Sequence, residues 1–539
     1  MAFPQGYSTE NHRFGLPFSE FCVTWISDLP QMKLRDILFW LASCLLWTFT
    51  VSAGPSTLIR NILLIDGSGK PPYPASVRVQ DQKISAIGDL KAFKNEKVID
   101  GHGLCLAPGF IDSHSHHFAD VQRNPNALST ASQGITTIVI GQDGESLPMA
   151  EIQQKLRSNP IAVHIASYTG HTALREQAMG EKNLLRPASQ TEIDAMKKLL
   201  SADLAEGSLG LSTGLEYEGA FYSTRDEVMQ LAQITAAYHG RYISHIRSED
   251  ITLADALDEI IQIGRIAKIP VQISHIKLAK KGDWGQAATI LQQLEQARQA
   301  GIDITADIYP YNFWHSTPRI LFPKRDYKNL ASAELATQEL FDPSGSTLVR
   351  YAPKPEYAGK TIAQIAQLRN ESPAQTLMAI IALSEEFREK NPNYPGTVEA
   401  ITGKSMLDAD VTTFLQWPHT NICSDGNAGA HPRGYGTFTR ILGRYVREAQ
   451  ALSLAEVIHK MTGLTAKHLG IQDRGLIAPG KIADLVLFDP KTVLDHATIA
   501  EPQALSTGIQ RVWVNGEIVY QNQQSTGKRP GTLLKRTHE

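Results

Sequence analysis

Several short motifs place metal-binding side chains where apolar runs end. The run closing at Phe110-Ile111 gives way to Asp112-Ser113-His114-Ser115-His116-His117. Alternate residues of an extended chain face one side, so His114 and His116 can grip one ion while His117 faces elsewhere. Three further runs end in Ser244-His245-Ile246-Arg247, Ser274-His275-Ile276-Lys277 and Ser424-Asp425-Gly426. A lone His-x-His, or one histidine at a strand end, is commonly structural. Four histidines and an aspartate recurring at the ends of separate apolar runs are hard to produce by accident. Imidazole nitrogen and carboxylate oxygen suit zinc and its first-row neighbours, so the set points to a metal site.

Something must bring these motifs together. The middle of the chain alternates short apolar strands with helical stretches such as 254–266 and 284–300, the pattern of β/α units. Eight strand candidates are read at 106–111, 135–140, 162–168, 208–212, 241–244, 271–274, 303–308 and 421–423. They predict an α/β fold, a TIM-like (β/α)8 barrel whose site lies at the C-terminal strand ends. The long gap between the seventh and eighth strands predicts an insertion around 313–357. Short strands and turns at 57–65, 75–79 and 83–87 are matched near the other end by 483–488, 512–514 and 516–520. These predict a small β-sandwich formed from both chain ends, with domains at 54–107 and 473–539 flanking a barrel over 108–472.

The 539 residues carry 52 basic and 55 acidic side chains, a balance that argues against a nucleic-acid partner. Cys22, Cys44, Cys105 and Cys423 are too scattered for a disulfide framework. Residues 1–31 are unlike the rest, and Met32 opens Lys33, Arg35, an apolar run from Ile37 and Val51-Ser52-Ala53. That order fits a secretory signal peptide starting at Met32, with cleavage after Ala53 and residues 1–31 as an upstream extension. The expectation is an exported protein, periplasmic or secreted. The run is short for a bilayer span, so no stable membrane span is expected after cleavage. An uncleaved anchor is the alternative. Oligomeric state is not legible.

The stretch Pro108-Gly109-Phe110-Ile111-Asp112-Ser113-His114-Ser115-His116 resembles the strand-one signature of the amidohydrolase superfamily. Gly170-His171-Thr172-Ala173-Leu174-Arg175, Gly210-Leu211-Ser212-Thr213-Gly214-Leu215-Glu216-Tyr217, Tyr309-Pro310-Tyr311, His431-Pro432-Arg433-Gly434-Tyr435-Gly436 and Thr526-Gly527-Lys528-Arg529-Pro530-Gly531 narrow the likeness to its N-acyl-D-amino-acid deacylases. The likeness spans roughly 56–535. One turn departs: Gly141-Gln142-Asp143-Gly144 puts Asp143 where those enzymes carry a cysteine ligand. A carboxylate still binds zinc but is a harder ligand. Glu145 is the alternative substitute, and the change leaves the number and identity of the ions open.

The resemblance implies one or two Zn2+ ions. Asp143, His245 and His275 hold the principal one, and His114, His116, Asp143 and Asp425 form a second position. It implies hydrolysis of an N-acyl-D-amino acid, or of a peptide with a D-residue at its C-terminal side, with Asp425 as general base and acid. Lys277, Tyr309 and Arg433 would bind the small-molecule substrate's carboxylate, with His171 and Arg247 as further candidates. Arg319, in the insertion, is a candidate selector of an acidic side chain. The runner-up is a cyclic-amide hydrolase of the dihydroorotase or hydantoinase kind. Those enzymes commonly use a carboxylated lysine, and Leu211-Ser212-Thr213-Gly214 supplies none at strand four. A non-catalytic metal-binding barrel is the third reading.

Overall fold

Apolar, β-branched strands buried on both faces build the frame that carries the motifs. The computed structural model describes residues 56–429 and 431–536, so the expected leader lies outside the described residues. Strands β1 (Phe110–Asp112), β2 (Ile135–Ile140) and β3 (His164–Ser167) form one parallel run. Strands β4 (Gly210–Gly214), β5 (Arg241–His245), β6 (Val271–Ile273), β7 (Ile304–Ile308) and β8 (Thr420–Ile422) form another. The chain just past β3, Thr169–Gly170, pairs with β4 and joins the two runs. At the other seam Ser113 N donates to Ile422 O at 3.4 Å and Asp425 N to His114 O at 2.8 Å. The eight strands thus follow the predicted order, and amphipathic helices such as Leu253–Ala267 bury Leu253, Leu257 and Ile260 around them.

The predicted first strand divides at Gly109. Cys105–Pro108 pairs antiparallel with Leu485–Phe488 in an outer sheet, and only Phe110–Asp112 enters the barrel. A Cβ on Gly109 would lie 2.3 Å from Thr136 Oγ1, so glycine is what lets the chain change sheets here. The outer sheet has nine strands drawn from both ends of the described chain. Its core holds Ile59, Leu64, Val77, Leu106, Leu485 and Trp513.

The insertion is larger than the sequence suggested. Phe313–Ser316, Thr347–Tyr351, Lys360–Thr361 and Glu399–Lys404 form a separate antiparallel sheet. With helix Pro373–Lys390 it encloses its own core of Phe322, Phe341, Leu348, Leu377 and Ile380. The helices after residue 357 read locally like barrel helices, which is why the prediction stopped short. Among the described residues no helix is long and apolar enough to cross a membrane.

Asp484 ties the barrel to the outer sheet. Its carboxylate accepts from Arg474 Nη1 at 2.5 Å and from the Asn515 amide at 2.8 Å, and lies 3.3 Å from His164 Nε2 on β3. Burial opposes its charge, but His164 and Arg474 hold the carboxyl down at about 2. Replacing one member of such a buried network costs about 3 kcal/mol. Asp484→Ala is therefore expected to lower stability by that order in denaturant unfolding. Because the folded pKa lies below the unfolded one of about 3.9, the contribution is present above pH ~4 and lost as pH falls toward ~2. The gap between wild type and Asp484→Asn should narrow over that window.

Candidate metal centre and active site

The strand ends converge as the motifs require. Ligand atoms of His114, Asp143, His275 and Asp425, all buried, lie within 4.8 Å of one another. His114 Nε2 is 3.5 Å from both Asp143 Oδ2 and Asp425 Oδ1. His116 Nε2 approaches the same two oxygens at 3.4 and 3.3 Å. His275 Nε2 is 3.4 Å from Asp143 Oδ1 and 3.1 Å from His245 Nδ1. Asp143 therefore lies between the His114–His116 pair and His275, which in turn meets His245. Asp143, not Glu145, joins the cluster. His117 turns away as expected, with Nε2 3.0 Å from Gly434 O.

The backbone is bent to achieve this. Asp143, His275 and Asp425 have φ of 55°, 36° and 47°, a region L-residues seldom enter. Such strain persists where the surroundings enforce it, and it gathers at functional sites. The turn before Asp143 depends on Gly141 (φ 74°), where a Cβ would come 2.1 Å from Tyr168 O. Gly144 N donates to Ser212 Oγ at 2.9 Å, and Gln142 Nε2 to Ser113 O at 3.0 Å, which pins the turn to β1 and β4.

The donor set fits a divalent ion. Asp143 Oδ1 is buried without a hydrogen-bond partner among the described residues. Burial alone would neutralise the carboxyls of Asp143 and Asp425. The rings of His114 and His275, and Arg433 beside Asp425, outweigh burial and hold both well below the usual carboxylate range. Burial lowers the His245 ring to about 4, so it stays neutral and offers a lone pair. Burial also opposes charge on His116, but Asp143 and Asp425 raise it to about 10. A cation entering the cluster displaces protons of this kind. A second group, His245, Glu249 and His275, also has ligand spacing. Two of its members are already engaged by the Lys277 ammonium, 2.6 Å from both Glu249 Oε1 and His275 Nδ1.

A cavity of about 350 Å³ opens over the cluster. Barrel residues Lys277, Tyr309 and Arg433 line it, and the insertion adds Trp314, Ile320 and Leu321. Arg433 Nη1 holds Asp425 Oδ2 at 2.5 Å, and its guanidinium lies 4.7 Å over the Tyr309 ring. The Tyr309 hydroxyl is buried without a hydrogen-bond partner among the described residues. Two expected residues are not brought there. His171 Nε2 lies 2.9 Å from Glu227 Oε1, at the start of a helix outside the cavity wall. Arg247 is spent on Glu259 through two bonds of 2.8 Å. Both were read from motif likeness, which does not reveal a neighbouring glutamate. Conversely, sequence reasoning passed over Glu216, Glu249 and Asp307. Glu216 Oε2 is 2.9 Å from His245 Nε2, and Asp307 Oδ1 is 3.8 Å from His114 Nδ1. Glu216 stood in the noted strand-four stretch, and its place just past a strand end was the available signal.

The amidohydrolase family profile matches residues 97–312 and 331–520. The chain belongs to that family. It is 34% identical over 508 residues to a D-aminoacylase of Alcaligenes xylosoxydans xylosoxydans, covering 89% of this chain and 97% of that protein. It is 33% identical over 502 residues to an N-acyl-D-glutamate deacylase of the same organism, covering 88% and 95%. The crystal structure of N-acyl-D-glutamate deacylase from Bordetella bronchiseptica, complexed with zinc and a phosphonate mimic of the tetrahedral intermediate, superposes with a TM-score of 0.78. It shows 30% identity over 89% of this chain and 100% of that one.

Removing a ligand should empty the cluster. Asp143→Ala is expected to copurify with less metal than wild type, read by elemental analysis. Adding zinc to chelator-stripped wild type should raise its melting temperature. At a concentration 100 times Kd the gain is about 2.7 kcal/mol. An Asp143→Ala protein with wild-type metal content and thermal shift would remove Asp143 from the site.

Proposed function

We propose that this protein is a zinc-dependent hydrolase cleaving the amide bond of N-acyl-D-amino acids, or of peptides with a D-residue at the C-terminal side. The observation that carries the reading is the His114–Asp143–His275–Asp425 cluster, facing a cavity rimmed by Lys277, Tyr309 and Arg433. Its relatives named for D-aminoacyl substrates support it. His114, His116, Asp143, His245, His275 and Asp425 would hold one or two ions. A bound zinc supplies Lewis acidity, lowering the pKa of water and polarising a carbonyl.

The chain's own groups do the rest. Asp425 takes a proton from the attacking water and returns it to the departing amine nitrogen, so one carboxylate serves both halves of the cycle. Arg433 fixes Asp425 Oδ2, which leaves Oδ1 toward His114 and His116. Lys277, which rests on Glu249, exchanges that partner for the substrate carboxylate, while Arg433 keeps Asp425 on Nη1 and meets the carboxylate with its remaining N–H groups. The Tyr309 hydroxyl donates to the same group.

The substrate side chain is uncharged in this reading. Arg319, the candidate selector of an acidic one, is already engaged: Nη1 lies 3.3 Å from both Glu218 and Glu385, and Nε 3.5 Å from Glu399. Trp314, Ile320, Leu321 and Leu340 present apolar surface to the cavity. The cyclic-amide reading is weaker, because Gly210–Gly214 carries no lysine at its end. Export through the leader remains part of the proposal, on its charge, apolar core and small-residue order alone.

Amine release from N-acetyl-D-leucine but not N-acetyl-L-leucine, with N-acetyl-D-glutamate much slower, is the expected result of a substrate screen. Activity confined to cyclic amides would overturn the reading. Asp425→Asn should abolish turnover while the ion held by Asp143, His245 and His275 is retained. Arg433→Ala should chiefly raise KM for carboxylate-bearing substrates, and an equal loss on an uncharged amide would contradict the assigned role.

A further inference from the structure

Strand four ends without a metal ligand, yet the loop that follows it closes on one. Leu215 N donates to His245 O at 3.0 Å, which fastens the loop to the end of β5. The Tyr217 ring lies against the His245 ring, with centroids 4.3 Å apart. Between them, Glu216 is buried and places Oε2 2.9 Å from His245 Nε2. Arg325 of the insertion donates to the Glu216 carbonyl and stacks 4.7 Å over Phe221, holding the loop from outside.

We propose that Glu216 is a positioning residue that fixes the aim of His245 and thereby raises the affinity of the centre for zinc. The contact takes up Nε2, so the opposite edge of the ring, Nδ1, is the one left to an ion. Nδ1 is the edge facing the cluster, 3.1 Å from His275 Nε2. A carboxylate behind a ligating imidazole also makes the ring a stronger donor to the ion. Glu249 does not share this role: it stands 3.9 Å from His245 Nε2 and is bound to Lys277. Strand four thus contributes to the centre through a ligand of strand five.

The inference rests on the cluster being a zinc centre. Its test uses zinc without substrate, so a failure of the deacylase reading would register separately. Zinc affinity of the full chain is measured by competition with a chromophoric chelator, with folding checked by circular dichroism. Glu216→Ala is expected to bind zinc about 10- to 100-fold more weakly. Glu216→Gln should recover part of the loss, since its amide still reaches Nε2. Asp250→Asn removes another buried carboxylate of the same cavity that touches no ligand, and should leave zinc affinity unchanged. If Glu216→Ala does not fold, the isosteric Glu216→Gln carries the test, with a measurable weakening expected. Folded Glu216 variants that match wild-type affinity would overturn the proposal. So would an equal loss in Asp250→Asn, which would reduce the effect to general charge.

Discussion

Two aspartates held close together in a buried place set the terms for the rest of the molecule. Asp143 and Asp425 face the same histidine nitrogens. Both are shielded from water, where unpaired charge is expensive. They are tolerable only with positive partners, and the chain offers ring protons, Arg433 and room for a divalent ion. The converging strand ends, the pinned turn at Gly141–Gly144 and the positive φ angles all keep these carboxylates from drifting apart.

Around that core the polar groups are arranged in pairs. Glu216 stands behind His245, Asp307 beside His114, and Glu249 against both His275 and Lys277. The cations nearest the reaction are thus held by internal carboxylates. That keeps them oriented yet leaves them able to accept an external carboxylate. The insertion supplies the opposite character, an apolar wall beside an Arg319 already neutralised by Glu218, Glu385 and Glu399. The cluster and the apolar wall of the cavity are therefore supplied by different parts of the chain, as expected when loops decorate a rigid barrel.

The barrel and the convergence of its strand-end side chains were legible because the signal was local. A histidine directly after an apolar run marks the strand end and places its side chain at the barrel mouth. Period-two alternation also correctly separated His116 from His117. The division at Gly109 was not legible, since an extended chain reads alike in either sheet. The insertion's extent was hidden because its helices carry the same periodicity as barrel helices. His171 and Arg247 lie outside the cavity wall for another reason: their partners, Glu227 and Glu259, sit on following helices, 56 and 12 residues along the chain. Burial of a counter-charge emerges only once the chain is folded. Glu216 was overlooked for the same cause, as its partner His245 lies 29 residues away.

The central claim is that these strand-end side chains hold a catalytic zinc. Anomalous diffraction recorded on both sides of the zinc edge from crystals of the zinc-loaded protein tests it most directly. The account predicts a strong peak bounded by Asp143, His245 and His275, with any second, weaker peak beside His114, His116 and Asp425. Zinc located only elsewhere, or no zinc in crystals of protein that is catalytically active, would contradict it.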